Sequence, residues 1–451
     1  MSNFEVPSPI LSSPFEEPKE HWWILEGQPA ERRQGRRPAL YFYREPAREA
    51  DQRGGLAIEM KLVNRIRESV KAWRESGHAG VTRTTLELLQ HWRREGREDR
   101  KRLFFAQLEA VETVIFLVEA RADFRQGLEI PRDEPSDDRK AEGFAGFSRY
   151  ACKMATGSGK TTVMGMVAAW SILNKVNDRS DGRFSDAVLV VVPNVTIRDR
   201  CRELDPELGE ASLYRSRDLV PSHLMERLRQ GKVVVTNWHV FEPQSVTNGD
   251  AAKVVKRGRE VLTTETIRIG EKNDTKRGTR FLTRETLRQQ IANGLIEMVE
   301  GNPDDDVAIK VRSRRYVESD TALINRILGR DLGGKQNILV MNDEAHHAYR
   351  IKREEPDEDE EEDFGEEEGA DEFFKEATVW VDGLDRINKV LGRNGKGGIN
   401  FCVDLSATPY FLGRVGQQTN RPFPWVVYGA LPLNARWRPR LSFRSRRKRD
   451  Q

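Results

Sequence analysis

Cysteine is scarce in this 451-residue chain. Its three copies, Cys152, Cys201 and Cys402, are far apart and odd in number. They make no Cys-x-x-Cys pair and no Cys/His cluster with ligand spacing. A zinc module and a disulfide scaffold are thereby set aside, and a reduced, cytoplasmic protein is expected. Long apolar runs are missing as well. None approaches the roughly 18 residues of a membrane helix, so no membrane association is expected. The opening MSNFEVPSPILSSPFEEPKEHWW has no basic segment followed by an apolar one, which argues against a signal peptide. No internal repeat occurs.

What is present is charge. Charged residues make up 33% of the chain, yet the net charge is only +3. That balance hides a segregation. Glu354 to Glu372 holds 14 acids and no Lys or Arg, which leaves about +17 for the remainder. The last 16 residues, Arg436 to Gln451, carry eight basic residues and one acid. A body of about +10 remains when both are set aside, and it leans towards a polyanionic partner such as nucleic acid. The acidic run has no apolar face, so repulsion is expected to keep 354–372 an extended, disordered loop.

Residues 1–55 are rich in Pro, Arg and Glu and read as an irregular arm that docks through two apolar clusters, HWW and YFY. Helical spacing starts near Leu56 and marks 56–100 as a helical N-terminal region. Residues 101–430 read as one α/β domain. It opens with LFFAQLEAVETVIFLVEAR, a helix apolar on more than one side. Five apolar runs follow, in YACKM, AVLVVVP, KVVVTNW, NILVMND and NFCVDLS. Continuous β-branched runs of this kind suit a parallel sheet buried on both faces, with helices between the strands. Such a sheet takes ligands at the carboxyl ends of its strands, and the polar residues fall there. The polar stretch 243–336 is too long for a loop and reads as an insertion or subdomain.

The strongest motif is ATGSGKTT, Ala155 to Thr162. Phosphate oxygens need several N–H groups converging in a tight turn, which Gly157 and Gly159 permit between Thr156 and Ser158 and the helix start. Lys160 would reach the β- and γ-phosphates of ATP, and the Thr161 hydroxyl, followed by Thr162, would ligate Mg²⁺. Met154 stands where a full P-loop begins with Gly. Asp343-Glu344 ends another apolar run, where one carboxylate can hold Mg²⁺ and its neighbour can deprotonate an attacking water. A chance Gly-Lys turn and a chance acid pair are the bland alternatives, and each weakens in the presence of the other. His346 and His347 lack a third metal ligand at suitable spacing, so a polar contact from the nucleotide site to a neighbouring segment is expected of them. Ser406, Ala407 and Thr408 in LSATP end a further strand and could hydrogen-bond back to the acidic strand end, or form a plain ST turn.

In that order, GSGKT, DEAH and SAT resemble the helicase motifs of superfamily two. Together with FFAQLEAVETVIFLVEAR, VVPNVTIRDR, VVVTNWHVFEP, NDEAHHAYR and VDLSATPYF, they make the chain similar to the restriction subunit (Res) of type III restriction enzymes and related DEAD/DEAH-box restriction proteins. The resemblance covers about residues 100 to 428. It implies a RecA-like P-loop NTPase domain that uses ATP and Mg²⁺, binds DNA and pairs with a modification methyltransferase subunit. It casts Glu344 as general base, Asp343 as metal ligand, and His346, Ser406, Ala407 and Thr408 as coupling residues. Gln107 matches the glutamine that reads adenine, with Phe104 or Phe105 beside it. Pro193, Asn194 and Thr196, then Thr236, Asn237 and His239, match the segments that grip one DNA strand, and Arg198 and Arg200 stand close behind.

Proteins of this kind hydrolyse ATP between two RecA-like domains, the second supplying arginine fingers worth roughly 10³ to 10⁵ in rate. This sequence ends about forty residues after SAT. The resemblance therefore implies a chain truncated after its first RecA-like domain, with Mg-ATP binding and feeble hydrolysis. YGALPLNARWRPRLSFRSRRKRDQ is Arg-rich and aperiodic, so 431–451 is expected to be a frameshifted basic tail, or else a genuine one that binds nucleic acid. The alternatives to an ATP-driven DNA translocase are a fragment that only binds nucleotide or nucleic acid, and an RNA helicase relative.

Overall fold

The computed structural model describes residues 10, 12–23, 30–43, 56–242, 258–270, 280–292, 296–302, 308–332, 335, 337–350, 370–392, 397–411 and 421–429. Two antiparallel hairpins open it. Strand β1 (Glu20–Trp23) pairs with β2 (Glu31–Gln34), and β3 (Leu40–Tyr43) with β4 (Leu56–Glu59). The expected irregular arm is thus corrected: HWW and YFY are strands. Their pairing was hidden because ERRQ carries no apolar residue at all. It is held instead by the Glu20–Arg32 ion pair and by Arg33, whose guanidinium lies 4.7 Å from the Trp23 ring centre. The helix expected from Leu56 likewise begins only at Lys61, because LAIE is taken up by the second hairpin.

Helices α1 (Lys61–Glu75) and α2 (Arg83–Arg93) bury one stripe each, Val63, Ile66, Val70 and Trp73 on the first. Thr82 caps α2 by accepting the Thr85 N–H at 3.0 Å. Helix α3 (Phe105–Glu119) is buried on nearly every side, including Glu109 and Glu112. Glu112 is met by Arg74 at 2.7 Å, Arg93 at 2.5 Å and His78 at 3.4 Å. Burial alone would raise its carboxyl, but His78, Arg93 and Arg74 together bring it down to about 2.

After the short α4 (Asp137–Ala141), β5 (Arg149–Lys153) leads through the glycine-rich turn into α5 (Lys160–Asn177). Then come β6 (Ala187–Val192), α6 (Val195–Cys201), α7 (Leu213–Ser216), α8 (Met225–Leu228) and β7 (Lys232–Asn237). The polar stretch that follows contains a small sheet of its own. It comprises β8 (Gly258–Ile269), β9 (Arg280–Leu282), β10 (Ile296–Glu300) and β11 (Ala308–Glu318), with α9 (Arg284–Ala292) packed on it. Ile267, Leu287, Ile296, Ile309 and Val311 form its separate core. Helix α10 (Asp320–Leu332) returns to the main domain, followed by β12 (Asn337–Asp343), α11 (Ala370–Leu391), β13 (Gly398–Ser406) and β14 (Val426–Gly429).

The main sheet is parallel throughout and runs β14-β5-β13-β12-β6-β7. All five runs read as strands are in it. The sixth, β14, stands at the sheet edge beside β5 and was not among those runs. Four residues are too few to show a period, and the strand forms because β5 offers it a free edge. Every side chain of β6 is buried, and alternate residues serve different cores. Val188, Val190 and Val192 pack with α3 and α5, whereas Ala187, Leu189 and Val191 pack with α10 and α11. Each such buried Val or Leu contributes about 1.5–3 kcal/mol to holding the three layers together. Both cores leave the carboxyl ends of the strands open, on one rim. Among the described residues no helix is long and apolar enough to cross a membrane. Most of the acidic run 354–372, and the tail 431–451, lie outside the described residues; Ala370–Glu372 begin α11.

Candidate nucleotide site and adjoining cleft

The phosphate loop is shaped by backbone conformation before any side chain acts. Gly157 and Gly159 have φ of 80° and 87°, in the left-handed region where a Cβ is strained. Ser158 closes the turn by donating its N–H and hydroxyl to the Ala155 carbonyl, at 3.1 and 2.6 Å. Helix α5 then starts at Lys160, so its free N–H groups face the turn. Thr161 and Thr162 lie in that first turn, Thr162 buried. Gln107 braces the loop from α3. It accepts the Phe104 N–H at 2.8 Å and donates to the Ser158 carbonyl at 3.1 Å. A Cβ on Gly159 would come within 1.9 Å of the Gln107 amide nitrogen, so Gln107 packs directly against the loop and would have to shift for any larger residue. Gln107 itself is buried. Phe104 lies 5.6 Å from Phe15, while Phe105 is buried beneath Arg36 and Arg74.

The acid pair arrives from β12. Asp343 is its last residue, and Glu344 turns the chain sharply with φ of 48° and ψ of 46°. A left-handed glutamate is strained by roughly 1–3 kcal/mol, a cost commonly met at functional sites. The turn is steadied by the Glu344 N–H, which donates to Asp343 Oδ1 at 3.0 Å. It also aims both carboxylates at α5: the Lys160 amine donates to Glu344 Oε1 and sits 3.8 Å from Asp343 Oδ1. Burial raises the Asp343 carboxyl; Lys160 opposes this and the nearby Glu344 adds to it, leaving the net shift upward.

The third motif closes the constellation. His346 Nδ1 lies 2.9 Å from the Ser406 hydroxyl, and the same hydroxyl accepts the Thr408 N–H at 3.0 Å. His346 is also 3.4 Å from Glu344 Oε2. Burial, with His347 and Lys160 nearby, lowers the His346 imidazole to about 4, so it is neutral at physiological pH. A continuous polar path thus runs Lys160–Glu344–His346–Ser406–Thr408. The backbone adds a second tie, from the Met154 N–H to the Ser406 carbonyl at 2.8 Å.

The family model described as the type III restriction enzyme, res subunit, matches residues 100–410. The chain belongs to that family. No curated protein and no solved structure matches it. The Res match starts just before Gln107 and ends just after the SAT motif, so it contains the whole constellation, and with it the P-loop, helicase-type character of the family. The hairpins and α1 and α2 lie outside it.

Beside the constellation, the Res domain has a cleft of about 650 Å³ on the open rim of the sheet. Its lining includes Thr156, Glu344, His346, Ala407 and Thr408 from the three motifs, together with Pro193, Asn194 and His239. Three of the six residues matched to strand-gripping segments therefore share one space with the phosphate loop. Thr196, in the first turn of α6, and Thr236 and Asn237, at the end of β7, are not among its lining residues. Asn194 caps α6 by accepting the Ile197 N–H at 3.0 Å. The cleft has further walls, of which the sequence did not single out Trp238 and Glu376. Trp238 lies under His239 with ring centres 3.8 Å apart, and His347 pairs with Glu376 of α11 at 3.0 Å. Glu376 stands 29 residues from His347 across the acidic run, so no local spacing could join them.

Proposed function

We propose that this chain is the ATP-binding half of a DNA-dependent ATPase and translocase of a type III restriction system. The observation that carries this reading is the convergence of the Lys160 amine on Glu344 and Asp343, with His346 and Ser406 continuing the path away from the phosphate loop. Hydroxyl and carboxylate oxygens are the donors a hard divalent cation takes, so Thr161 and Asp343 fit Mg²⁺. When bound, that ion would neutralise charge on the β- and γ-phosphate oxygens. The backbone N–H groups of Gly157 to Thr161 bind and orient the phosphates. Lys160 exchanges its contact with Glu344 for a phosphate oxygen, which releases Glu344 to take the proton of an attacking water. His346, neutral and held by Ser406, senses where the Glu344 carboxylate stands and passes the change to Thr408 on the cleft wall.

DNA is proposed to lie along the cleft beside Pro193, Asn194 and His239. A modification methyltransferase subunit is the partner implied by membership of the family. Slow turnover is expected of this domain where no arginine finger is supplied to it, because such a finger is worth roughly 10³ to 10⁵ in rate. Fluorescent ATP binding with and without Lys160→Ala, followed by phosphate release with added DNA or RNA, tests the reading. We expect Mg²⁺-dependent binding that Lys160→Ala abolishes, and stimulation by DNA over RNA. Binding indifferent to Lys160 sinks it, and stimulation by RNA alone transfers the site to an RNA-directed motor.

A further inference from the structure

Directly beneath the acid pair lies a buried polar hub that the proposed mechanism does not use. Its centre is Arg149, the first residue of β5, which is wholly buried. Its guanidinium donates to Asp404 at 2.8 Å, to Asp133 at 2.9 Å and to the Ala348 carbonyl at 2.8 Å. Asp404, also wholly buried, accepts from the Asn342 amide at 2.8 Å and from the Trp425 indole at 3.0 Å. Asn342 in turn accepts the Trp380 indole N–H at 3.1 Å.

The connections are specific to the site. Asn342 immediately precedes Asp343, and Ala348 ends the turn that carries Glu344 and His346. Arg149 therefore grips this turn at both ends, once directly and once through Asp404. Asp404 is two residues before Ser406 on β13. Arg149 itself sits at the start of the strand whose far end becomes the phosphate loop. One guanidinium thus ties together the three strands that bring in the three motifs. A buried ion pair seldom adds net stability over an apolar replacement, because desolvation offsets the attraction. What a planar arginine supplies is direction: its N–H groups donate only in a fixed fork. A strained left-handed glutamate needs such a fixed frame.

We propose that Arg149, acting through Asp404 and the Ala348 carbonyl, is a positioning residue that sets where the Asp343 carboxylate stands relative to the phosphate loop. It thereby governs how strongly Mg²⁺ enhances nucleotide binding. The inference rests on the reading of Asp343 as a metal ligand. The test is titration of the full chain with fluorescent ATP in Mg²⁺ and in EDTA, for the wild type, Asn342→Leu and Arg149→Lys, each with a thermal melt. Both variants are expected to keep the metal-free affinity and to lose about tenfold of the Mg²⁺ enhancement, the usual scale for outer-shell support of a metal ligand. Asn342→Leu leaves Arg149 and both its carboxylates in place, so it carries the test if Arg149→Lys does not fold. Enhancement that survives in a folded variant overturns the inference alone. So does an equal loss of affinity in Mg²⁺ and in EDTA, which marks a merely structural role. No enhancement in the wild-type chain overturns the functional reading, and this inference with it.

Discussion

Two buried acids in this molecule have opposite surroundings. Glu112, in the helical region, is enclosed by Arg74, Arg93 and His78, and its carboxyl is held down to about 2. Asp343, on the rim of the sheet, is buried beside a second carboxylate with one lysine between them, and its carboxyl is raised. The first arrangement surrounds one carboxylate with cationic partners, whereas the second leaves two carboxylates sharing one lysine. A satisfied cluster stabilises the fold and does no chemistry. An unsatisfied one costs stability and is ready to accept a cation or a proton.

That contrast can be tested by substitution. The largest effect belongs to Glu344→Gln, which removes the proposed proton acceptor with little change in shape. DNA-stimulated phosphate release should fall by about 10²- to 10⁴-fold while ATP binding persists, as read by fluorescence titration. Unchanged release would remove Glu344 from the chemistry. Next comes Glu112→Ala. It strands Arg74 and Arg93 without their acid and should cost about 3 kcal/mol in urea unfolding, with nucleotide affinity retained. A loss of affinity in the folded variant would show that the two regions are not independent.

The acid limb of stability separates them further. The Glu112 carboxyl is depressed in the fold, so its contribution is present above its ordinary value near 4.5 and lost as pH falls towards 2. The Asp343 carboxyl is raised, so its contribution runs the other way: it is present at low pH and lost as pH rises through the folded value. Unfolding followed from pH 6 to pH 3 should therefore flatten in Glu112→Gln relative to the wild type. An identical slope would mean that the cation cluster is not formed in solution. The smallest effect is expected from Asp343→Asn. Removing one of two crowded carboxylates should raise stability at neutral pH by about 1 kcal/mol or less while weakening Mg²⁺-dependent binding, the usual exchange between stability and function. A drop in stability would place Asp343 with Glu112 among the satisfied acids.

Much of this was legible in the chain itself. ATGSGKTT, NDEAHHAYR and VDLSATPYF each combine a buried strand with a polar end. The period and the chemistry are local, so position in the sequence was enough to predict position on the rim. Gln107 was found through resemblance, but its burial and its brace to Ser158 were not foreseen, because a polar residue in a helix says nothing about the neighbour it meets. The hairpins at the start were missed for a related reason. ERRQ has no strand pattern, and only pairing with HWW makes it one. Asp404 did leave a signal, as an acid inside an otherwise apolar run, yet its partner Arg149 lies 255 residues away.

Residues close in sequence therefore determined the class of fold, the phosphate loop, the acid pair and the SAT turn, since each depends on a run of backbone and its neighbours. Only the tertiary structure decided which of the many charges would be neutralised and which left short. Charges interact through space in a medium of low dielectric, and the distances that matter are set when strands far apart in the chain become adjacent in the sheet.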